Sequence, residues 1–166
     1  MSLDRFWAAW REQYVSGAIA SLNADGEVEC VFCALSIEDV GESSGVLWRS
    51  ATTFVVLNAY PYGSGHLLVL PRRHVASFAE LTDEEYREYY LALRHTVMAI
   101  EMAYGADGMN IGFNLGVAAG AGIPKHLHGH VLPRWGGDTN FMTSVGETRV
   151  LSESLSATWQ KVHDHF

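Results

Sequence analysis

The chain alternates between stretches of helical and of strand-like apolar spacing. Leu3, Phe6, Trp7, Trp10 and Tyr14 recur at helical intervals, which predicts an N-terminal amphipathic helix whose aromatic face docks on its own core or on a partner subunit. From Ser16 to about Ser44 the pattern dissolves into Gly, Ser, Asn and acidic residues around two cysteines, as expected of a loop without an apolar face that something other than a core must order. Short β-prone runs follow at Val46–Arg49, Phe54–Asn58 and Leu67–Leu70, with the turn-rich segment 60–65 between the last two, and predict an antiparallel meander. Thr82 and Glu85 form a capping-box pattern ahead of Tyr86, Tyr89, Tyr90, Leu93, Val97 and Ile100, and Gly105 supplies a left-handed stop, so a long helix is expected from about Asp83 to Tyr104. Met109–Leu115 and His126–Leu132 read as two more strands joined by the glycine-rich segment 116–122. Leu151, Leu155, Trp159 and Val162 predict a closing helix. The whole reads as α+β, a mostly antiparallel sheet with helices packed on one side.

At 166 residues the chain is long enough for one domain and short for two. A formal charge of -8 gives a field that repels nucleic acid, so a polyphosphate ligand needs a local site. No run reaches the roughly 18 uncharged residues of a membrane span, and nothing marks the chain for export. Cys30 and Cys33 are too close to staple a domain, which points to a reducing, cytoplasmic setting.

The eight histidines concentrate the chemistry. By composition an H-x-H-x-H pattern is expected roughly 0.02 times in such a chain. On a strand, His126, His128 and His130 form a row on one face at about 6.6 Å spacing. Such a row ligates a metal or works on an anion, because neutral imidazole offers a nucleophilic nitrogen and a donor; an exposed polar strand face is the plain alternative. The glycine-rich segment, with Gly120 and Gly122, has backbone N–H groups to present to phosphate oxygens, and Asn110 and Asn114 precede it. It is not a Walker loop, since no Gly-Lys-Ser/Thr follows.

The run His126-Leu127-His128-Gly129-His130-Val131-Leu132-Pro133-Arg134 resembles the signature of the histidine triad (HIT) superfamily. Val55-Val56-Leu57-Asn58, Gly65 through His74, and Asn110 through Gly116 resemble further blocks of that family in its order, so the likeness covers about residues 5 to 160. The extension Pro133 through Phe141 and the opening Phe6-Trp7-Ala8-Ala9-Trp10-Arg11 resemble the branch that includes diadenosine tetraphosphate phosphorylases. The resemblance implies a single HIT-like domain over 1–166: the N-terminal helix and cysteine segment in 1–44, the core in 45–135 and a C-terminal extension in 136–166. Two positions depart from the pattern. Ala119-Gly120 is followed by Ala121-Gly122 rather than a glutamine, which weakens a hydrolase assignment, and Gly129 stands where an apolar residue is expected, depriving the strand of a packing side chain.

What the resemblance implies for His128 is in-line attack on an α-phosphorus to give a nucleotidyl-histidine, with the tautomer fixed by a backbone carbonyl. It implies that His130 and His66 contact phosphate or the leaving group, that Asn58 recognises ribose and that Asn114 contacts phosphate. Cys30-x-x-Cys33 has zinc-ligand spacing but supplies half of a tetrahedral site; a redox pair is the competing reading, disfavoured by Glu27, Glu29, Glu38 and Asp39 nearby. The resemblance implies that His74 and His126 complete a structural Cys2His2 zinc site, with no open position for catalysis and no organic cofactor. His95, His163 and His165 are expected to be solvated, and Arg72, Arg73 and Lys125 either steer an anion or pair with surface carboxylates. The expected activity is nucleotidyl transfer or phosphorolysis of dinucleoside polyphosphates, with a hydrolase and an inactive zinc-containing nucleotide-binding module as alternatives. The expected partners are a small nucleotide and a second copy of the chain, with no nucleic acid and no membrane.

Overall fold

The computed structural model describes residues 30–138 and 151–166; the aromatic helix expected near the N-terminus and the run Thr139-Asn140-Phe141 lie outside the described residues. Five strands, β1 (Val46–Arg49), β2 (Thr53–Leu57), β3 (Leu67–Pro71), β4 (Gly108–Phe113) and β5 (Gly129–Arg134), form one antiparallel sheet in the order β1-β2-β3-β5-β4. The α+β class and the meander of the first three strands are as the sequence pattern predicts.

Helix α2 (Asp83–Tyr104) has the expected bounds. Thr82 accepts from the Glu85 amide and the Glu85 carboxylate accepts from the Thr82 amide, while Gly105 closes the other end at φ 55°, where a side chain would be strained. Tyr89, Ala92, Leu93, Thr96, Ala99 and Ile100 form its buried face and pack on Leu47, Val55, Leu57, Leu67, Val69 and Val131 of the sheet. Helix α3 (Leu155–His163) joins this layer through Val162 and through Trp159, whose indole N–H donates to the Val46 carbonyl at 3.3 Å.

Two expectations are corrected. Residues 31–37 are not loop but a short helix, α1 (Val31–Ile37), and it lies on the sheet face opposite α2. The reason lies in β2 and β3, whose residues are all buried: strands apolar on both faces need cover on both. Phe32 supplies it against Val46, Phe54, Val56, Leu68 and Leu70. Second, β5 begins at Gly129 rather than His126, because its ladder with β3 ends at the Val69–Gly129 pair. Before that point the chain veers off, and the Leu127 amide donates to the Val75 carbonyl at 2.6 Å. Among the described residues no helix is long and apolar enough to cross a membrane.

Candidate active site

The end of the β3–β5 ladder sets the histidine geometry. His126 and His128 sit in the chain just before β5, and His130 lies within it, paired with Leu68. They do not form the uniform row that a continuous strand would give. His128 and His130 adjoin, with ring centroids 5.2 Å apart, while the His126 ring turns toward the cysteines.

The His128 ring is 7% exposed, and its Nδ1–H donates to the His126 carbonyl at 2.7 Å. That bond leaves Nε2 as the lone-pair nitrogen, the tautomer a nucleophile needs. Burial holds the His128 pKa below the usual imidazole value, so the ring is neutral at pH 7. Phe32 walls one side, its ring centroid 5.2 Å from that of His128.

A second chain of bonds fixes His130. The backbone N–H of Tyr62 can only donate, and it points at His66 Nδ1 from 2.9 Å. His66 Nδ1 must therefore be the lone-pair nitrogen, Nε2 carries the proton, and at 3.0 Å it donates to His130 Nδ1. The His130 proton then sits on Nε2, 3.5 Å from the Asn114 Nδ2; both are donors, so they share no hydrogen bond in this tautomer and can serve a common acceptor. Asn58 reinforces the chain: its Oδ1 accepts from the Tyr60 amide at 3.0 Å, which orients its Nδ2 toward His66 Nδ1 at 3.2 Å. His66 is thus buried at 1% exposure with both nitrogens committed within the protein, Nδ1 to Tyr62 and Asn58 and Nε2 to His130. Tyr62 lies over both rings, nearly parallel to His130 at 5.6 Å. Burial, followed by the neighbouring His128, lowers the His130 pKa to about 4.

Other expected residues are placed as follows. Asn110 is exposed on β4, where its Oδ1 accepts from Arg134 at 2.6 Å. The Gly120 amide, with those of Ala119 and Ala121, bonds carbonyls of its own turn at Gly116 and Val117, while Gly122 stands exposed beyond it. Arg73 forms a two-pronged pair with Glu85, and Arg72 donates to the Ser50 and Ala51 carbonyls, so neither is a loose steering charge. His95 packs edge-on between Trp48 and Phe166, and His163 stacks on Trp159 at 4.1 Å, rather than standing in solvent.

Cys30, Cys33, His74 and His126 converge, with their ligand atoms all within 4.8 Å of one another. Cys30 Sγ and Cys33 Sγ lie 3.4 and 3.6 Å from His126 Nδ1, and Cys33 Sγ lies 3.2 Å from His74 Nδ1. Zinc–ligand bonds of about 2.0–2.3 Å space tetrahedral ligand atoms by about 3.3–3.8 Å, so the donors fit a zinc ion in type and spacing. His126 Nε2–H donates to the Pro71 carbonyl at 2.9 Å, which leaves Nδ1 to ligate. The C-x-x-C spacing gives half of this donor set and the family resemblance implies the other half; the support from Pro71, Tyr62 and Phe32 is not legible in the sequence, since backbone groups and a lone aromatic carry no motif.

The family model described as HIT domain matches residues 42–137. An AP-4-A phosphorylase of Mycobacterium tuberculosis is 35% identical over 157 residues, covering 94% of this chain and 80% of that protein. A bis(5'-adenosyl)-triphosphatase of Saccharomyces cerevisiae is 34% identical over 91 residues, covering 54% of this chain and 44% of that protein. Among solved structures, a zinc-bound histidine triad family protein from Mycobacterium smegmatis superposes with TM-score 0.65 at 25% identity, covering 82% of this chain and 92% of that one. The chain belongs to the HIT domain family.

Proposed function

We propose that this protein is a nucleotidyl transferase that phosphorolyses dinucleoside polyphosphates such as diadenosine tetraphosphate. The observation that carries the reading is the His128 tautomer: Nδ1–H held by the His126 carbonyl and Nε2 presented as the nucleophile, beside a His130 fixed as a donor. His128 Nε2 attacks the α-phosphorus in line, forming a P–N bond as the P–O bond to the leaving nucleotide breaks. His130 Nε2–H donates to the oxygen on which charge builds, and Asn114 stands ready for a phosphate oxygen. An oxygen of inorganic phosphate then attacks the same phosphorus, the P–N bond breaks, and its electron pair returns to Nε2. Asn58, with its amide committed to Tyr60 and His66, meets a ribose only through its remaining lone pair or proton. Gly122, past the turn, offers backbone to the phosphate chain.

Similarity to the mycobacterial phosphorylase over 94% of the chain supports phosphate as acceptor. Likeness to the yeast triphosphatase over about half supports water as the second reading, through the same first step. Structural zinc at Cys30, Cys33, His74 and His126 belongs to the proposal: zinc there ties α1 to the chain before β5 and leaves no position open for substrate. So do a cytoplasmic location and a homodimer, the latter favoured by β4 at an end of the sheet with Ile111 exposed. Product analysis tests the acceptor. Diadenosine tetraphosphate should give ADP and ATP only when phosphate is added; AMP and ATP without phosphate would replace phosphorolysis by hydrolysis.

A further inference from the structure

Tyr89 lies on the far face of the sheet from the imidazoles, fully buried in the layer under α2. Its hydroxyl donates to the Val69 carbonyl at 2.7 Å and packs against the Gly129 backbone. Val69 and Gly129 are opposed residues of β3 and β5, the last pair before the strands part. One hydroxyl therefore bonds β3 and packs against β5 at the fork. Gly129 makes the arrangement possible: a Cβ there would stand 2.7 Å from the Tyr89 oxygen and 2.7 Å from Phe113 Cε1. The gap that a glycine at this position predicts is absent, because Tyr89 and Phe113 fill it.

Gly129 is the residue between His128 and His130, and side chains alternate across a strand. Whatever fixes the Gly129 backbone fixes the spacing of its two neighbours on the opposite face. We infer that Tyr89 is a positioning residue for the reaction, its hydroxyl bonded to Val69 and packed against Gly129 so that His128 and His130 meet the same phosphorus. This rests on His128 being the nucleophile. Tyr89 touches no substrate, so its effect falls on kcat rather than on binding.

The experiment compares Tyr89→Phe, Gly129→Ala, the double variant and His128→Asn, with diadenosine tetraphosphate and inorganic phosphate as substrates and thermal unfolding monitored in parallel. Tyr89→Phe is expected to lower kcat at least tenfold with KM within twofold. Long-range ¹H–¹⁵N spectra should show the single Nδ1–H tautomer of His128 giving way to a mixture. Gly129→Ala should also lower kcat, and the double variant should retain more activity than the product of the two single effects, because deleting the oxygen removes one of the two close contacts. A Tyr89→Phe protein that melts lower but keeps kcat within twofold has lost only stability, and that result overturns the inference. If Tyr89→Phe does not fold, Gly129→Ala decides alone, and unchanged kcat there also overturns it. Turnover surviving in His128→Asn would instead defeat the nucleophile assignment, so the two failures are distinct.

Discussion

Helix α1 should depend on metal for its existence. It has seven residues, no side-chain cap and no acidic residue in its first turn, and only Phe32 and Ser36 are buried. Ordering that many residues costs about 7–14 kcal/mol of backbone entropy. Burial of Phe32 returns about 1.5–3 kcal/mol. The few helical hydrogen bonds add about 1 kcal/mol each, so the two together reach only the lower end of the cost. An isolated helix of this length is not stable in water. Zinc held by Cys30 and Cys33 at one end and by His74 and His126 of the sheet domain closes the deficit, since structural zinc sites return about 10–16 kcal/mol on binding. Chelation, or Cys33→Ser, should therefore unfold α1 locally and leave the sheet and α2 intact. In hydrogen exchange, amides of residues 31–37 should lose protection at least a hundredfold, about 3 kcal/mol, while those of β2, β3 and α2 change little. Phe32 would then leave His128, and kcat should fall with it. Equal protection of α1 with and without metal would refute the reasoning.

Two further outcomes follow from the imidazole network. His66→Phe removes bonds from Tyr62, Asn58 and His130 at once, so it should cost roughly 2–4 kcal/mol in denaturant unfolding and lower kcat at least tenfold; unchanged kcat would separate His66 from His130. The His130 pKa, lowered by burial to about 4 against an unfolded value near 6.5, makes the unfolded chain bind more protons between these pH values. Its contribution to stability is complete above about pH 6.5 and is lost as pH falls through 4; melting temperatures in this window should fall less steeply in His130→Gln, and an identical slope would contradict the assignment.

Elements with their own local signals were readable from the sequence. Thr82, Glu85 and Gly105 carry the ends of α2 in side-chain and backbone chemistry that needs no tertiary contact, and the helix has the expected bounds. The segment around Cys30 misled because one buried aromatic in two turns gives no periodicity; α1 forms through Phe32 and through ligands distant in the chain, His74 and His126. The histidine pattern marked the site, yet alternation alone put three rings on one strand face. The fork at Val69–Gly129 broke that symmetry and gave the rings separate partners, and a fork is a long-range property of β3, β5 and Tyr89 together. Gly129 looked like a loss of packing because its neighbour across the layer lies 40 residues away in the chain, in α2.

In the proposed mechanism His128 carries the nucleotidyl group. Brief incubation with diadenosine tetraphosphate in phosphate-free buffer, an alkaline quench that preserves P–N bonds and peptide mass spectrometry would test it directly. The expected result is one adenylyl group on the peptide containing His128, at its imidazole, discharged as ADP when phosphate is added and absent from His128→Asn. An adduct on another residue, or full turnover by His128→Asn, would contradict it.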